Sequence, residues 1–391
     1  MSFVLRDYQQ AASDKAVAFF MDKKKKHNAI MVLPTGSGKS IVLASIASRL
    51  NAPVLIFQPS KEILEQNFAK LQALCPFDCS VYSASFGRKE ISKITFATIG
   101  SVRNSPELFQ QFQYVLCDEC HLINSKEGMY KSFLDQLRCK ILGVTATPYR
   151  LSSSQGFGSM LKFITRTRPA IFKEVIYHVQ VSTLLDMGYL AKLNYYPMNP
   201  IGWNELNLKT NSTGADYTDK SVVREYERID FYGYLVHIVQ RLMNPKEGGK
   251  RKGILVFTRF LKEAERLTWS IPGCAIVSGD TPKSTREMIL RQFKAGEIPV
   301  VANVGVLTTG FDYPELDTIV MARPTMSLAM WYQIVGRAIR PHPSKEYGWV
   351  VDLCGNVKRF GEVKDLKLVD PTGRGLWQVN SRGRQLTNVS F

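Results

Sequence analysis

The run Leu33-Pro34-Thr35-Gly36-Ser37-Gly38-Lys39-Ser40 decides the fold. The apolar stretch 29–33 precedes it, and the amphipathic stretch 40–49 follows it. Glycines let backbone N–H groups close around phosphate oxygens, and a helix N-terminus adds its positive end. In such a loop Lys39 can reach the terminal phosphates of a nucleotide, and Ser40 can ligate magnesium. The opening glycine of the widespread form of the pattern is absent, and Pro34-Thr35 stands before the Gly-Ser-Gly-Lys-Ser core. A strand, a phosphate loop and a helix in that order predict an α/β domain with a parallel sheet.

The same rhythm extends along the chain. The stretches 54–58, 94–98, 114–117 and 141–145 are short, apolar and strand-like, with a helical stretch at 61–74. It returns in a second half, with strands expected at 253–258, 274–278, 299–303, 318–322 and 349–353. The helices of that half are expected at 260–269, 285–295 and 327–340. The residues between are less regular, and the polar run 199–219 reads as loop. The organisation expected is a first lobe at 1–165, an accessory or linker region at 166–249, a second lobe at 250–365 and a basic tail at 366–391. The tail is Gly- and Arg-rich, and is expected to be partly ordered only on a partner.

Two acids and a histidine end one expected strand, in Val115-Leu116-Cys117-Asp118-Glu119-Cys120-His121. An aspartate at a strand's C-terminal end can hold magnesium, and the next glutamate can orient or deprotonate an attacking water. His121 can then sense the terminal phosphate. In Gln333-Ile334-Val335-Gly336-Arg337-Ala338-Ile339-Arg340, the residues Gln333, Arg337 and Arg340 fall at i, i+4 and i+7. On a helix that spacing puts two guanidiniums on one face. Their fork shape suits a phosphate whose charge spreads in a transition state.

Charge supports a polyanionic partner. The chain of 391 residues has 51 Lys+Arg and 34 Asp+Glu, a formal net charge of +17. Residues 1–150 hold 19 basic and 12 acidic residues, 151–250 hold 12 and 9, and 251–391 hold 20 and 13. The excess is therefore shared by both halves and is not confined to one arm. A hydrophobic fraction of 45% excludes wholesale disorder. No stretch reads as membrane-spanning, and residues 1–10 have no signal-peptide core, so a cytoplasmic location is expected. The seven cysteines are scattered. Cys117 and Cys120 have no second pair to complete a zinc site, so buried reduced thiols are expected.

Taken together, these motifs resemble those of the superfamily 2 helicases in their DExH form. The resemblance implies two RecA-like parallel-sheet lobes with a nucleotide cleft between them and a small accessory region. Asp118-Glu119-Cys120-His121 is similar to motif II, and Gln333 to Arg340 to motif VI. Thr145-Ala146-Thr147-Pro148 resembles motif III, which implies that Thr145 and Thr147 couple the two ligand sites. Leu5-Arg6-Asp7-Tyr8-Gln9 is similar to the entry motif, which implies Arg6 and Gln9 on the adenine side. Pro59-Ser60-Lys61 and Thr98-Ile99-Gly100-Ser101 fall at the backbone-contacting motifs Ia and Ib. Thr258 and Arg259 close a segment like motif IV. The run Gly305 to Asp312 resembles motif V, implying Thr308 and Thr309 on nucleic acid and Gly310 and Asp312 facing nucleotide. Within the superfamily, Gly128-Met129-Tyr130-Lys131 and the stretches 142–151, 352–357 and 385–389 resemble the UvsW-like and RadD-like DNA helicases.

The implied activity is ATP hydrolysis, with magnesium, coupled to movement along nucleic acid. DNA is preferred to RNA as the track, in repair, recombination or replication. A monomer is expected, with single-strand-binding or recombination proteins as partners. The alternatives are a duplex translocase without strand separation, an RNA helicase, and an ATP-switched binding module.

Overall fold

The computed structural model describes residues 4–74, 78–154, 158–245, 251, 253–307 and 313–389. The first sheet takes β1 (Asn28–Val32), β2 (Val54–Phe57), β3 (Cys79–Ser83), β4 (Arg88–Lys89), β5 (Ile94–Ala97), β6 (Tyr114–Asp118) and β7 (Lys140–Thr145). A hairpin follows, β8 (Tyr149–Ser154) with β9 (Gly158–Phe163), and β10 (Phe172–His178) returns to the sheet. The order across it is β10-β1-β7-β6-β2-β5-β3-β4, with β4 antiparallel to its neighbour and the rest parallel. Helices α1 (Asp7–Met21), α2 (Lys39–Arg49) and α3 (Lys61–Leu74) belong to this half. Strands covered on both faces need unbroken apolar runs, which is why Val54-Leu55-Ile56-Phe57 is entirely buried.

The second sheet takes β11 (Lys192–Pro197), β12 (Ile254–Thr258), β13 (Cys274–Val277), β14 (Val300–Val304), β15 (Thr318–Ala322) and β16 (Tyr347–Asp352). Its order is β11-β16-β15-β12-β14-β13, parallel throughout. Two α/β halves are thus present.

The residues expected as an accessory region do not stand apart. Their first strand, β10, pairs with β1 in the first sheet, and β11 pairs with β16 in the second. Helices Asp219–Arg228 and Phe231–Met243 then pack into the second half's core through Val222, Tyr226, Phe231 and Leu235. The aromatic residues of this stretch are mainly core. Tyr226 and Phe231 stack at 3.9 Å, with Trp203 beside them at 6.3 Å.

The tail also differs from expectation. It folds into a three-stranded antiparallel sheet, β17 (Leu366–Val369), β18 (Gln378–Ser381) and β19 (Arg384–Gln385). Gln180 Nε2 donates to the Leu368 carbonyl at 2.7 Å, and Leu368 N–H donates back to Gln180 Oε1 at 3.1 Å. Phe163 N–H donates to Asn388 Oδ1 at 3.1 Å, and Asn388 N–H to the Leu161 carbonyl at 2.7 Å. Arg382 Nε reaches Asp365 Oδ2 at 2.7 Å. One apolar cluster runs from Ile30 and Phe57 through Leu255 and Trp331 to Leu386, so both sheets and the tail share a core. Alternation of Leu366, Leu368, Val379 and Leu386 with polar residues supplies the tail's buried face.

Among the described residues no helix is long and apolar enough to cross a membrane, and no three His, Cys, Asp or Glu side chains gather as a metal cluster. The six described cysteines are all free thiols.

Candidate nucleotide site

All parallel strands of a sheet end on the same side, so their C-terminal loops converge. β7 lies between β1 and β6, with Val32 beside Thr145 and Asp118 beside Val144. The phosphate loop, the two threonines and the acidic pair are therefore delivered side by side. In the loop, Gly36 and Gly38 have φ of +82° and +80°, a left-handed conformation that favours glycine. A Cβ on Gly38 would also lie 2.6 Å from Gln9 Nε2.

A cavity of about 320 Å³ opens there. Its wall takes Thr35, Gly36, Gly38, Lys39 and Ser40 from the loop, and Asp118 and Glu119 from the end of β6. Gln333, Arg337 and Arg340 enter from the second half. The three do not share a helix, as the spacing had implied. The helix Leu328–Val335 stops before Gly336, and Arg337 and Arg340 lie in the turn and bend beyond it. A side chain on Gly336 would meet Thr35 Cγ2 at 2.7 Å, so the turn packs directly on the loop. Thr35 N–H donates to the Tyr332 hydroxyl at 3.3 Å across the same junction.

Electrostatics sort the charged groups. Lys39 Nζ is 3.1 Å from Glu119 Oε1. Burial alone would raise the Glu119 carboxyl, but Lys39 and His121 hold it well below the usual carboxylate range. Burial, and then the charge of Glu119, raise Asp118 instead. Asp118 accepts hydrogen bonds from the Glu119 N–H at 2.9 Å and from Asn67 Nδ2 at 3.3 Å. Glu119 itself has φ of +46°, a strained conformation for a side chain of its size. Burial pushes both Arg337 and Arg340 down to about 10, so both stay charged at neutral pH. A hydroxyl and a buried carboxylate on one wall, Ser40 and Asp118, are hard oxygen donors of the kind magnesium takes.

His121 does not line the cavity. It lies behind Glu119, with Nδ1 2.9 Å from Thr145 Oγ1, 3.1 Å from Thr147 Oγ1 and 3.3 Å from Glu119 Oε2. The histidine and both threonines thus form one buried relay ending on the glutamate.

Arg6 and Gln9 flank the loop from outside the cavity wall. Gln9 Nε2 donates to the Ser37 carbonyl at 2.9 Å, and the Arg6 guanidinium sits 4.2 Å above the Tyr189 ring. Pro34 and Ser37 belong to the loop itself, with Ser37 buried. Pro59, Ser60 and Lys61 follow β2, and Ser60 Oγ accepts from the Ile63 N–H at 3.3 Å to cap α3. Thr98 and Ser101 follow β5, their hydroxyls 3.0 Å apart. Thr258 and Arg259 are not presented to a cleft. Thr258 is fully buried, and Arg259 is held by Asp216 at 3.2 Å and Asp219 at 2.8 Å. Thr308, Thr309, Gly310 and Asp312 lie outside the described residues.

Three contributors carry no motif in the sequence. Asn67 bridges Asp118 to Gln58 Oε1, the latter at 2.9 Å. Lys70, one turn further along α3, adds a cation to the cavity wall. The i, i+3, i+4, i+7 set Ile63, Gln66, Asn67 and Lys70 was the available signal, since all four line the cavity. Lys345 is the third. Its Nζ donates to the carbonyls of Pro314 at 2.8 Å, Leu316 at 3.0 Å and Ala338 at 3.0 Å, and it is 9% exposed.

Lys345 therefore fixes the turn that carries Arg337 and Arg340. Lys345→Met should cost about 2 kcal/mol of stability, because the three carbonyls lose their donor. Burial pushes the ammonium down to about 8, so the folded chain binds this proton less tightly than the unfolded one. The wild type should consequently gain stability as pH rises from about 8 towards the free-lysine value near 10.4, and Lys345→Met should lack that gain. Denaturant unfolding at pH 7.5 and 9.5 measures both effects.

Known proteins agree with this architecture. Residues 2–150 match the family described as "Type III restriction enzyme, res subunit", and residues 234–342 match "Helicase conserved C-terminal domain". The "Putative ATP-dependent helicase IRC3" of Saccharomyces cerevisiae is 23% identical over 90% of this chain and 52% of its own. The chain thus spans about half the length of that relative. The "DNA 3'-5' translocase XPB2" of Sulfurisphaera tokodaii is 25% identical over 86% of this chain and 78% of its own. Among solved structures, a fragment of a putative HsdR subunit of a type I restriction enzyme from Vibrio vulnificus superposes with a TM-score of 0.68. That likeness covers 98% of this chain and 70% of the other at 19% identity.

Proposed function

Because the chain belongs to the superfamily 2 helicases, we propose that it is an ATP-hydrolysing motor that moves along DNA. The observation that carries this reading is the single cavity shared by Lys39, Glu119, Arg337 and Arg340, two residues from each half. Lys39 and the loop N–H groups bind the phosphates of ATP. Glu119, ionised and held by Lys39 and the histidine relay, orients or deprotonates water. Arg337 and Arg340 stabilise charge on the transferred phosphoryl group and complete the site only when both halves close on it. Ser40 and Asp118 would hold magnesium, which neutralises phosphate charge when bound. The Thr145–Thr147–His121 relay ends on Glu119, and the loops after β2 and β5, with Pro59, Ser60, Lys61, Thr98 and Ser101, take the DNA backbone.

The archaeal relative is named a DNA translocase, which favours DNA as the track. The free thiols fit a reducing, cytoplasmic setting. The role proposed is in repair, recombination or replication, as a monomer beside single-strand-binding or recombination proteins.

The test is steady-state ATP hydrolysis against a panel of single-stranded, duplex, forked and four-way DNA and RNA. DNA should stimulate turnover at least tenfold over the basal rate. Contacts to about six phosphates would weaken binding roughly a thousandfold between 50 and 200 mM salt. Turnover indifferent to every nucleic acid, or binding indifferent to salt, overturns the reading.

A further inference from the structure

A second cavity, of about 300 Å³, lies on the first half and shares no wall residue with the nucleotide site. It sits where the segment after the acidic pair, through Cys120 and Ile123, meets the β8–β9 hairpin and the strand that follows. Lys126, Arg150, Lys162 and Arg168 line it. Among the described residues no carboxylate is in its wall. The nucleotide cavity differs in this respect, because Asp118 and Glu119 offset its cations.

Arg150 makes the case specific. Its Nη1 is buried and no hydrogen-bond acceptor reaches it. A buried guanidinium donor without an acceptor is unfavourable, more so where the group is charged. Burial lowers the Arg150 pKa and no neighbouring charge opposes the shift. The wall holds no carboxylate to offset these cations, and an anion from outside would supply that charge. Four cations around one concave site, with no carboxylate among them, match the oxygens of a phosphate.

We propose that this cavity is a phosphate-binding site that takes a backbone phosphate of the polynucleotide track. It is separate from the ATP cavity and from the loops after β2 and β5, and it rests on the motor reading above only for the identity of that polyanion. Its wall begins one residue after Glu119, so a bound phosphate braces the segment that carries the water-activating carboxylate.

Two variants test it, Arg150→Gln and the double surface variant Lys162→Gln/Arg168→Gln, which removes charge without touching the buried guanidinium. Fluorescence anisotropy with labelled duplex DNA, in the absence of nucleotide, is measured across a salt series. Each cation removed should reduce the slope of log affinity against log salt by about one. Affinity at moderate salt should fall about tenfold in each variant, and basal ATP turnover should be unchanged. Unaltered slope and affinity in the double variant overturn the proposal, even if Arg150→Gln fails to fold. Titration with inorganic phosphate alone separates the two phosphate sources. Phosphate binding that both variants abolish while DNA affinity stands marks a small-anion site and overturns the backbone assignment. DNA binding that depends on these residues in a chain without DNA-stimulated turnover supports the site and sinks the motor reading instead.

Discussion

Glu119→Gln should lower ATP turnover about a thousandfold, the scale expected when a positioned general base is removed. That is about 4 kcal/mol of transition-state stabilisation. ATP binding should survive and tighten slightly. Lys39 is paired with Glu119, so a bound phosphate must compete with that carboxylate. The amide releases Lys39, so the phosphates no longer compete with a carboxylate. Lys39→Ala acts on both sides of that pair. It removes the phosphate ligand and leaves two adjacent buried carboxylates without their cation, so both turnover and nucleotide affinity should collapse. Phosphate release under saturating DNA, beside equilibrium binding of a fluorescent nucleotide, separates the two variants. Turnover of Glu119→Gln within threefold of the parent would remove the glutamate from its role.

Arg340→Ala should cost about three orders of magnitude in DNA-stimulated turnover, and Arg337→Ala a comparable amount. Both side chains are desolvated in the cavity and both come from the second half. Their contribution therefore exists only while the halves are closed. DNA binding without nucleotide should be unaffected, because neither arginine belongs to the proposed track contacts. Lysine should not restore activity at either position, since a point charge cannot reproduce a planar fork between phosphate oxygens. Loss of DNA affinity in parallel with turnover would place these arginines on the track.

The sequence was most legible where chemistry demands particular residues at fixed spacing. The loop around Lys39 needs glycines with positive φ, and the acids must end a strand, so both announce themselves. Arg337 and Arg340 were found for a reason the structure alters. Both reach the cavity from a turn beyond Val335, and helical spacing was only a coincidence of length. Arg259 shows the opposite failure. A basic residue at a strand end reads as a phosphate contact until Asp216 and Asp219, 43 and 40 positions earlier, are seen to hold it. The partners of Lys345, Asn67 and Arg150 are likewise set by tertiary packing, which leaves no local pattern. The strands β10 and β11 were missed because an edge strand is covered less fully. Their middle residues are only partly buried, so neither carries the unbroken apolar run of β2.

The small C-terminal sheet ties Leu161, Phe163 and Gln180 of the first half to Asp365 of the second. In thermodynamic terms it is an intramolecular linker, and it sets the effective concentration of one half at the face of the other. Two bodies joined only by a loose chain would each lose translational and rotational freedom on every closure. Here much of that loss has already occurred on folding, and Tyr332 already touches Thr35. On the proposed motor reading, a smaller share of ATP binding energy would then go into assembling the arginines.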